Sequence, residues 1–375
     1  MRTAVTDMLG IEFPILAFSH CRDVVAEVSK AGGLGVLGAI SHTPEQLELE
    51  LQWIVEHANG APFGVDVLLP STEKPMTGDI PKEHLDFVGE LLRRHGIDIT
   101  EAAAVPEFSE RKAITDLSGE LLEVAFRYPI SLVASALGTP SPEMVEGAKS
   151  RGVKVAALAG KVSHARRHVE AGVDIVIAQG HEAGGHTGEV TTMVLVPEVV
   201  DAVAPVPVLA AGGIGRGRQM AAALALGAQG VWCGSVWLTT EEAETHPVVK
   251  EKFLEAGSAD TVRSRYRTGK PARQLRSAWT DAWEQPDAPG PLSMPQQIKL
   301  AEEALVRAEK AAQRDSGPAR ELVTYFVGQI VGSMNRVKTT RQVVFDLVDE
   351  LIDATRSLNE ALEDDSEAAV GPASR

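Results

Sequence analysis

Eight short apolar, β-branched runs recur within the first 240 residues, most of them giving way to an amphipathic one. FPILAF (13–18) precedes DVVAEVSKAG, LGVLGA (34–39) precedes PEQLELELQWIVEHA (44–58), and FGVDVLL (63–69) stands third. ISLVASAL (130–137) leads into SPEMVEGAKSRG, KVAALAG (154–160) into VSHARRHVEAG, and DIVIAQG (174–180) stands sixth. PVLAAGG (207–213) runs into GRGRQMAAALALGA, and GVWCGS (230–235) closes the series. The strand runs are mostly apolar rather than alternating, as burial on both faces demands, and the helix patterns between them can cover a parallel sheet. Eight such units are the count of a (β/α)8 TIM barrel, and this α/β fold is the expectation. An open doubly wound sheet is the alternative that the same alternation leaves.

Two segments break the rhythm. Residues 70–128 sit where one helix belongs; they are charged, Pro-interrupted and largely helical in pattern. An insertion after a barrel strand hangs over the catalytic face, so this one reads either as a lid or as an extra surface helix pair. From about residue 241 no convincing strand pattern appears, while AEEALVRAEKAAQR and TRQVVFDLVDELIDATRSLNEAL are strong helix patterns. The expected organisation is a barrel over 1–240 carrying the insertion 70–128, with a helical C-terminal region over 241–375 that packs on it, covers the site or forms a homodimer contact.

Composition excludes several function classes. The chain has 375 residues, 44% of them hydrophobic, enough for a large core. A net charge of -16 leaves no basic footprint for nucleic acid. No run of ~18 apolar residues offers a membrane span. The start, MRTAVTDMLGIEFPI, does not read as a signal peptide. Two distant cysteines, Cys21 and Cys233, suit a reducing, cytoplasmic setting without a disulfide framework.

Three glycine-rich stretches carry the candidate chemistry. GGLGVLG contains G-x-G-x-x-G at Gly33, Gly35 and Gly38, but these follow a helix and enter a strand, the reverse of a dinucleotide fingerprint. HEAGGH (181–186) invites a zinc reading, yet its histidines are five apart and Gly184 and Gly185 would weaken a helix, so no metal is expected. LAAGGIGRG (209–217) and CGS (233–235) end the seventh and eighth predicted strands, where barrels commonly bind phosphate at loop N–H groups and a helix N-terminus; Arg216 and Ser235 could add donors. QGHEAGGHTG is then the neighbouring loop. Gln179 and Gly180 end its strand, Gly184 and Gly185 could seat a flat cofactor, and His186 reads either as a general base or as a structural hydrogen-bonding histidine.

That loop, with LAAGGIG and CGSVWLTT, resembles the nitronate monooxygenase family, once called 2-nitropropane dioxygenases. AGGLGVLGA, FGVDVLL and DIVIAQG extend the resemblance, which is strongest over 171–240. It implies a (β/α)8 barrel carrying non-covalent FMN. It implies that His186 is the catalytic base, that Gln179 and Gly184 contact the flavin, and that Gly212 and Gly213 hold its phosphate. The strand-eight turn of the family matches Trp232, Cys233, Gly234 and Ser235, with Ser235 where threonine is common. Ala17, Phe18 and Ser19 would supply backbone to the flavin.

This sequence departs from the family pattern in three places. Asp66 stands where the family has asparagine. PILAFSHCRD replaces the usual PI-x-x-APM, and the insertion 70–128 is not part of the pattern. The activity implied is FMN-dependent oxidation of alkyl nitronates by O2 to carbonyl compounds and nitrite. HEAGGHTGEVTTMVLVPEVV also resembles the flavin-dependent enoyl-acyl-carrier-protein reductases, which leaves an NAD(P)H-dependent reductase or dehydrogenase of acyl thioesters as the alternative. A flavoprotein that has lost activity and serves as a binding module is a third.

Overall fold

The computed structural model describes residues 1–67, 79–99, 114–314 and 317–369. Its strands are β1 (Ile15–Ser19), β2 (Leu34–Gly38), β3 (Phe63–Val67), β4 (Leu132–Ser135), β5 (Lys154–Ala159), β6 (Ile175–Gln179), β7 (Gly185–His186), β8 (Val208–Ala211), β9 (Gly230–Cys233), β10 (Thr261–Ser264) and β11 (Ala272–Leu275). Strands β1–β6, β8 and β9 form a closed barrel in that order. Parallel pairing of β1 with β9, Ile15 opposite Val231 and Ala17 opposite Cys233, closes it. All eight expected barrel strands are present, and the open-sheet alternative is excluded.

Alternation along each strand divides the apolar side chains between two layers. Leu16, Val36, Leu132, Ile177, Leu209 and Trp232 pack with one another inside the barrel. Their neighbours Ile15, Leu37, Val65, Val133, Val176 and Val231 face the helices. Helix Ala4–Leu9, capped by Thr3, sends Val5 and Leu9 into the interior cluster and stops the N-terminal end. Local signals fix the outer helices. In Pro44–His57, Thr43 and Gln46 form a reciprocal capping box and Pro44 occupies the first turn. Of the glycines in GGLGVLG, Gly35 and Gly38 lie inside β2. A Cβ on Gly35 would collide with the Val25 backbone, so that glycine serves the close approach of helix Arg22–Lys30.

The two irregular segments meet each other. Helix Lys82–Arg94 contributes Val88, Leu91 and Leu92 to a second core built on Trp279, Trp283, Phe253 and the helix Gln296–Arg314. Helix Ile114–Ala125, by contrast, joins the barrel's outer core through Leu121, Leu122 and Val124. Residues 70–78 and 100–113 of the expected insertion lie outside the described residues. The C-terminal helix Thr340–Ala369 returns to the barrel. Its Val344, Leu347 and Leu351 pack in the outer core, against helices Gly217–Ala225 and Arg22–Lys30. Burying each such side chain contributes ~1.5–3 kcal/mol.

The expectation of no strands beyond residue 241 is corrected. β10 and β11 pair antiparallel, Val262 opposite Gln274, and β11 pairs in turn with β7. TVRS and ARQL are four residues each and carry arginine, too short and too polar to show a strand period.

Candidate active site

The C-terminal ends of the barrel strands bring together most of the residues singled out in the sequence. Phe18 and Trp232 point inward and stack, with centroids 6.2 Å apart and planes 25° from parallel. Val65 and Val67 face the helices, so Asp66 between them points into the barrel. By the same alternation Gln179, next to outward-facing Ala178, points inward. Asp66 is 4% exposed, and its Oδ2 has no hydrogen-bond partner among the described residues. Burial with no compensating charge raises its pKa well above the ordinary carboxyl value, which favours the neutral acid over the carboxylate. Ala17 and Cys233 face the helix layer, so only their backbone can serve the mouth. Burial pushes the Cys233 thiol up to about 12. The Ser19 hydroxyl accepts the Cys21 N–H at 3.1 Å.

The expected anion cradle is narrower than the sequence suggested. Helix Gly217–Ala225 does begin after the glycine loop, but the backbone donors of Gly215, Arg216 and Gly217 are already taken. Gln219 Oε1 accepts from both Gly215 N and Arg216 N at 3.0 Å, and Glu350 accepts from Gly217 N at 2.9 Å. Arg216 is held by Glu350 at 2.6 Å on the outer side, which removes it as a phosphate ligand. What remains is Gly212 and Gly213 at the end of β8, and Gly234 with Ser235 at the end of β9. A Cβ on Gly234 would meet only Phe18, at 3.8 Å, so that wall is open. Ser235 Oγ accepts the Gly328 N–H at 2.8 Å and keeps its own proton to donate.

The loop after β6 is pinned from several sides. Gly180 abuts Thr192 with no room for a Cβ. The Glu182 carboxylate accepts the Thr192 N–H at 2.9 Å, and the Glu182 carbonyl accepts the Gln329 N–H at 2.9 Å. Gly184 lies against the backbone of Val327 and Gly328, where a Cβ would come within 2.8 Å. That contact alone requires glycine at this position. Gly185 has φ 74° and open space where a Cβ would be. Next to it His186 sits opposite Ala272 in the β7–β11 pairing. Arg273, on β11, donates Nε–H to the His181 carbonyl at 3.1 Å, and Arg263 donates to the Thr187 carbonyl at 3.0 Å.

The two histidines of the loop have different surroundings. His181 Nδ1 lies 3.3 Å from the Gly188 carbonyl, a local structural bond. His186 Nε2 lies 2.9 Å from Thr268 Oγ1, and its ring centroid is 6.3 Å from that of Phe326. Desolvation first, and the Lys270 charge second, lower the His186 pKa to about 4, so the ring is neutral at neutral pH. Cys21, Asp23 and Glu244 have ligand atoms close enough together to hold an ion. That group lies in another part of the chain and includes neither histidine of the loop.

A family model described as nitronate monooxygenase matches residues 2–350. The chain belongs to that family. It is 31% identical to a Staphylococcus haemolyticus protein named "Probable nitronate monooxygenase" over 362 residues, which span 91% of this chain and 98% of the relative. It is 58% identical over 377 residues to the Mycobacterium tuberculosis protein Rv1533, which carries the name of a monooxygenase; the match spans 96% of this chain and 98% of the relative. Among solved structures, nitroalkane oxidase from Streptomyces ansochromogenes superposes with a TM-score of 0.78 at 27% identity, covering 95% of this chain and all (100%) of that one. FabK from Thermotoga maritima superposes with a TM-score of 0.73 at 31% identity, covering 96% and 99%. This nitronate monooxygenase family member is an oxidoreductase, and among its described residues no helix is long and apolar enough to cross a membrane.

Several residues of this family member's site were missed in the sequence. Thr268, Lys270, Arg263 and Arg273 come from the β10–β11 region, and Val327 and Gly328 from the segment beyond it. Their nearness to His186 depends on tertiary pairing, which no local pattern reveals. One signal was available. RSRYRTGKPARQLR (263–276) puts six cationic residues into fourteen positions of a chain whose net charge is -16. Such concentration marks a segment that supplies fixed donors. Glu182 anchors the loop through both its carboxylate and its carbonyl.

Proposed function

We propose that this chain oxidises alkyl nitronates, and the nitroalkanes from which they form, using FMN and O2 and releasing a carbonyl compound and nitrite. The observation that carries the reading is His186, a neutral imidazole at the barrel mouth with one ring nitrogen held by Thr268. The residues present fit FMN. The unpartnered Asp66 Oδ2 and inward-facing Gln179 offer polar edges to a ring system, and open positions beside Gly185 and Gly234 leave space. Gly212, Gly213, Gly234 and the Ser235 hydroxyl would hold the phosphate. FMN, when bound there, supplies the electron chemistry between nitronate and O2.

The chain's own part is acid–base and positional. His186 takes the α-proton of a neutral nitroalkane, a step that requires the unprotonated ring. Asp66, whose burial favours the protonated form, would then do the work of the family's asparagine as a hydrogen-bond donor to the flavin. The β10–β11 strands hold the loop against solvent-driven rearrangement. His186→Asn should spare FMN binding and abolish turnover of neutral nitroalkane; unchanged turnover would remove the role.

A second reading is supported by the likeness to FabK: reduction of an enoyl or acyl thioester with NAD(P)H, with His186 as proton donor. The lowered pKa of His186 disfavours a donor role at neutral pH, and the match to the nitronate monooxygenase family favours the first reading. Anaerobic mixing of FMN-loaded protein with nitronates and, separately, with NADH or NADPH separates the two. Bleaching by nitronate alone supports the first; rapid bleaching by the nicotinamide supports the second.

A further inference from the structure

We propose that Thr268 sets the tautomer of His186, its hydroxyl oxygen taking the Nε2–H and leaving Nδ1 as the nitrogen that receives the proton. This rests on the reading of His186 as the base. The argument is a proton count. A threonine hydroxyl has one hydrogen and two lone pairs. Thr268 Oγ1 lies 3.1 Å from the Lys270 carbonyl oxygen, 3.3 Å from the Lys270 amide nitrogen and 2.9 Å from His186 Nε2. The carbonyl can only accept, so it takes the hydroxyl hydrogen. The amide can only donate, so it takes one lone pair. The lone pair that remains needs a donor, and the neighbour at 2.9 Å is Nε2. The opposite tautomer would spend the hydroxyl hydrogen on the ring and set the Lys270 carbonyl against an oxygen lone pair. A neutral imidazole with hydrogen on Nε2 has its basic lone pair on Nδ1.

The placement is built into the fold. Thr268 is 6% exposed in the turn between β10 and β11. The β7–β11 pairing that sets Ala272 opposite His186 also delivers Thr268 to the ring. In the step supported, the α-C–H bond breaks and its electron pair becomes the C=N bond of the nitronate. Negative charge passes to the nitro oxygens and the proton to Nδ1, while Nε2–H stays on Thr268. Thr268 is therefore a positioning residue that acts through His186.

The test uses FMN-loaded full-length protein with 15N-labelled histidine rings. Long-range proton–nitrogen correlation spectra are recorded at neutral pH for wild type, Thr268→Val and Thr268→Ser, with His186→Asn to identify the resonance. Wild type should show His186 as one tautomer with hydrogen on Nε2. Thr268→Val should mix or invert it, and Thr268→Ser should restore it. Turnover of neutral nitroalkane should fall roughly tenfold in Thr268→Val, a part of the ~10²–10⁴-fold that a positioned base supplies, and recover in Thr268→Ser. Turnover of pre-formed nitronate should hold nearly constant. An Nδ1–H tautomer in wild type, or an unchanged tautomer in Thr268→Val, overturns the inference; the wild-type spectrum alone decides it if the valine variant does not fold. If the tautomer responds as stated while His186→Asn still processes neutral nitroalkane, the base assignment fails and the hold of Thr268 on the ring stands.

Discussion

His186 should remain an active base far below the pH at which free imidazole is protonated. Moving its pKa from 6.5 to about 4 means that protonating the ring in place costs roughly 3 kcal/mol more than in water, at ~1.36 kcal/mol per pH unit. Desolvation is the larger cause and Lys270 the smaller. Nitrite release from a neutral nitroalkane, followed as kcat/KM against pH, reports the free enzyme's base. The profile should be flat through neutrality and turn down only near pH 4. Lys270→Met should move that downturn part of the way back toward 6.5, because burial remains. Stability should respond in the same window. Between pH 6.5 and about 4 the unfolded chain binds more protons at this position than the folded one. Stability is therefore lost as pH falls through that range, by up to roughly 3 kcal/mol, and is unaffected by this group above it. His186→Asn should remove that dependence in urea titrations. A wild-type downturn between pH 6 and 7, unchanged in Lys270→Met, would refute the reasoning by showing the ring to be solvated.

The remaining predictions concern the mouth and the arm that closes on it. Asp66→Asn should retain FMN, read by visible absorbance. In flavin-free protein it should be more stable than wild type at neutral pH. The folded pKa of Asp66 is raised, so its cost appears as pH rises above 3.8 and the unfolded carboxyl ionises; the gap between the two proteins should widen with pH in urea titrations. Gly184→Ala forces a Cβ to within 2.8 Å of the Val327–Gly328 backbone and should cost ~1–3 kcal/mol with loss of flavin occupancy, whereas Gly119→Ala, with nothing within 4 Å, should gain ~0.5–1 kcal/mol by thermal melting. Arg273→Met removes charge-assisted bonds to the His181 carbonyl and Thr261 hydroxyl, worth ~1.5–3 kcal/mol each before the guanidinium's own desolvation is discounted. Faster amide exchange over residues 181–188 with kcat reduced and FMN retained is the expected result; unchanged exchange would count against the arm's role.

The barrel was legible because its strands are buried on both faces and say so in composition. Apolar runs of six to eight residues, most of them followed by a helix pattern, admit few other folds. Their ends were less so. FPILAF was read from Phe13, but β1 begins at Ile15. Pro14 has no N–H to give to a ladder, although its carbonyl accepts from Val231 at 2.9 Å. The inward residues Phe18, Asp66, Gln179 and Trp232 were found through the family resemblance, and alternation within each strand accounts for their direction. Cys233 and Ala17 were found the same way but face the helices, since a contiguous motif cannot send every side chain to one side of a strand. The arm was not legible. ARQL becomes a strand because TVRS and GH lie on either side of it, and partners of four and two residues leave no period to read. Arg216 was misread for a related reason. Its sequence position beside a glycine loop suggested a phosphate, while its actual partner, Glu350, is 134 residues away.

These failures share a physical origin that bears on how such a site is assembled. A barrel loop rich in glycine can bring a histidine to the mouth but cannot hold it, because each glycine adds backbone freedom that must be lost on ordering. The loop's own side chains supply only part of the restraint: His181 to Gly188 and Glu182 to Thr192. The rest comes from residues 261–329, through β11 on β7, Arg273 on the His181 carbonyl, Gln329 on the Glu182 carbonyl and Thr268 on the imidazole. The same segment reaches the anion cradle, where Gly328 donates to Ser235. One arm thus braces both the proposed proton-transfer group and the proposed phosphate-binding end, and it is itself anchored in the second core through Trp279, Leu275 and Val327. Changes to that second core should therefore reach the chemistry through the position of His186 rather than through the barrel, whose interior cluster of Leu16, Val36, Ile177 and Leu209 contains none of these residues.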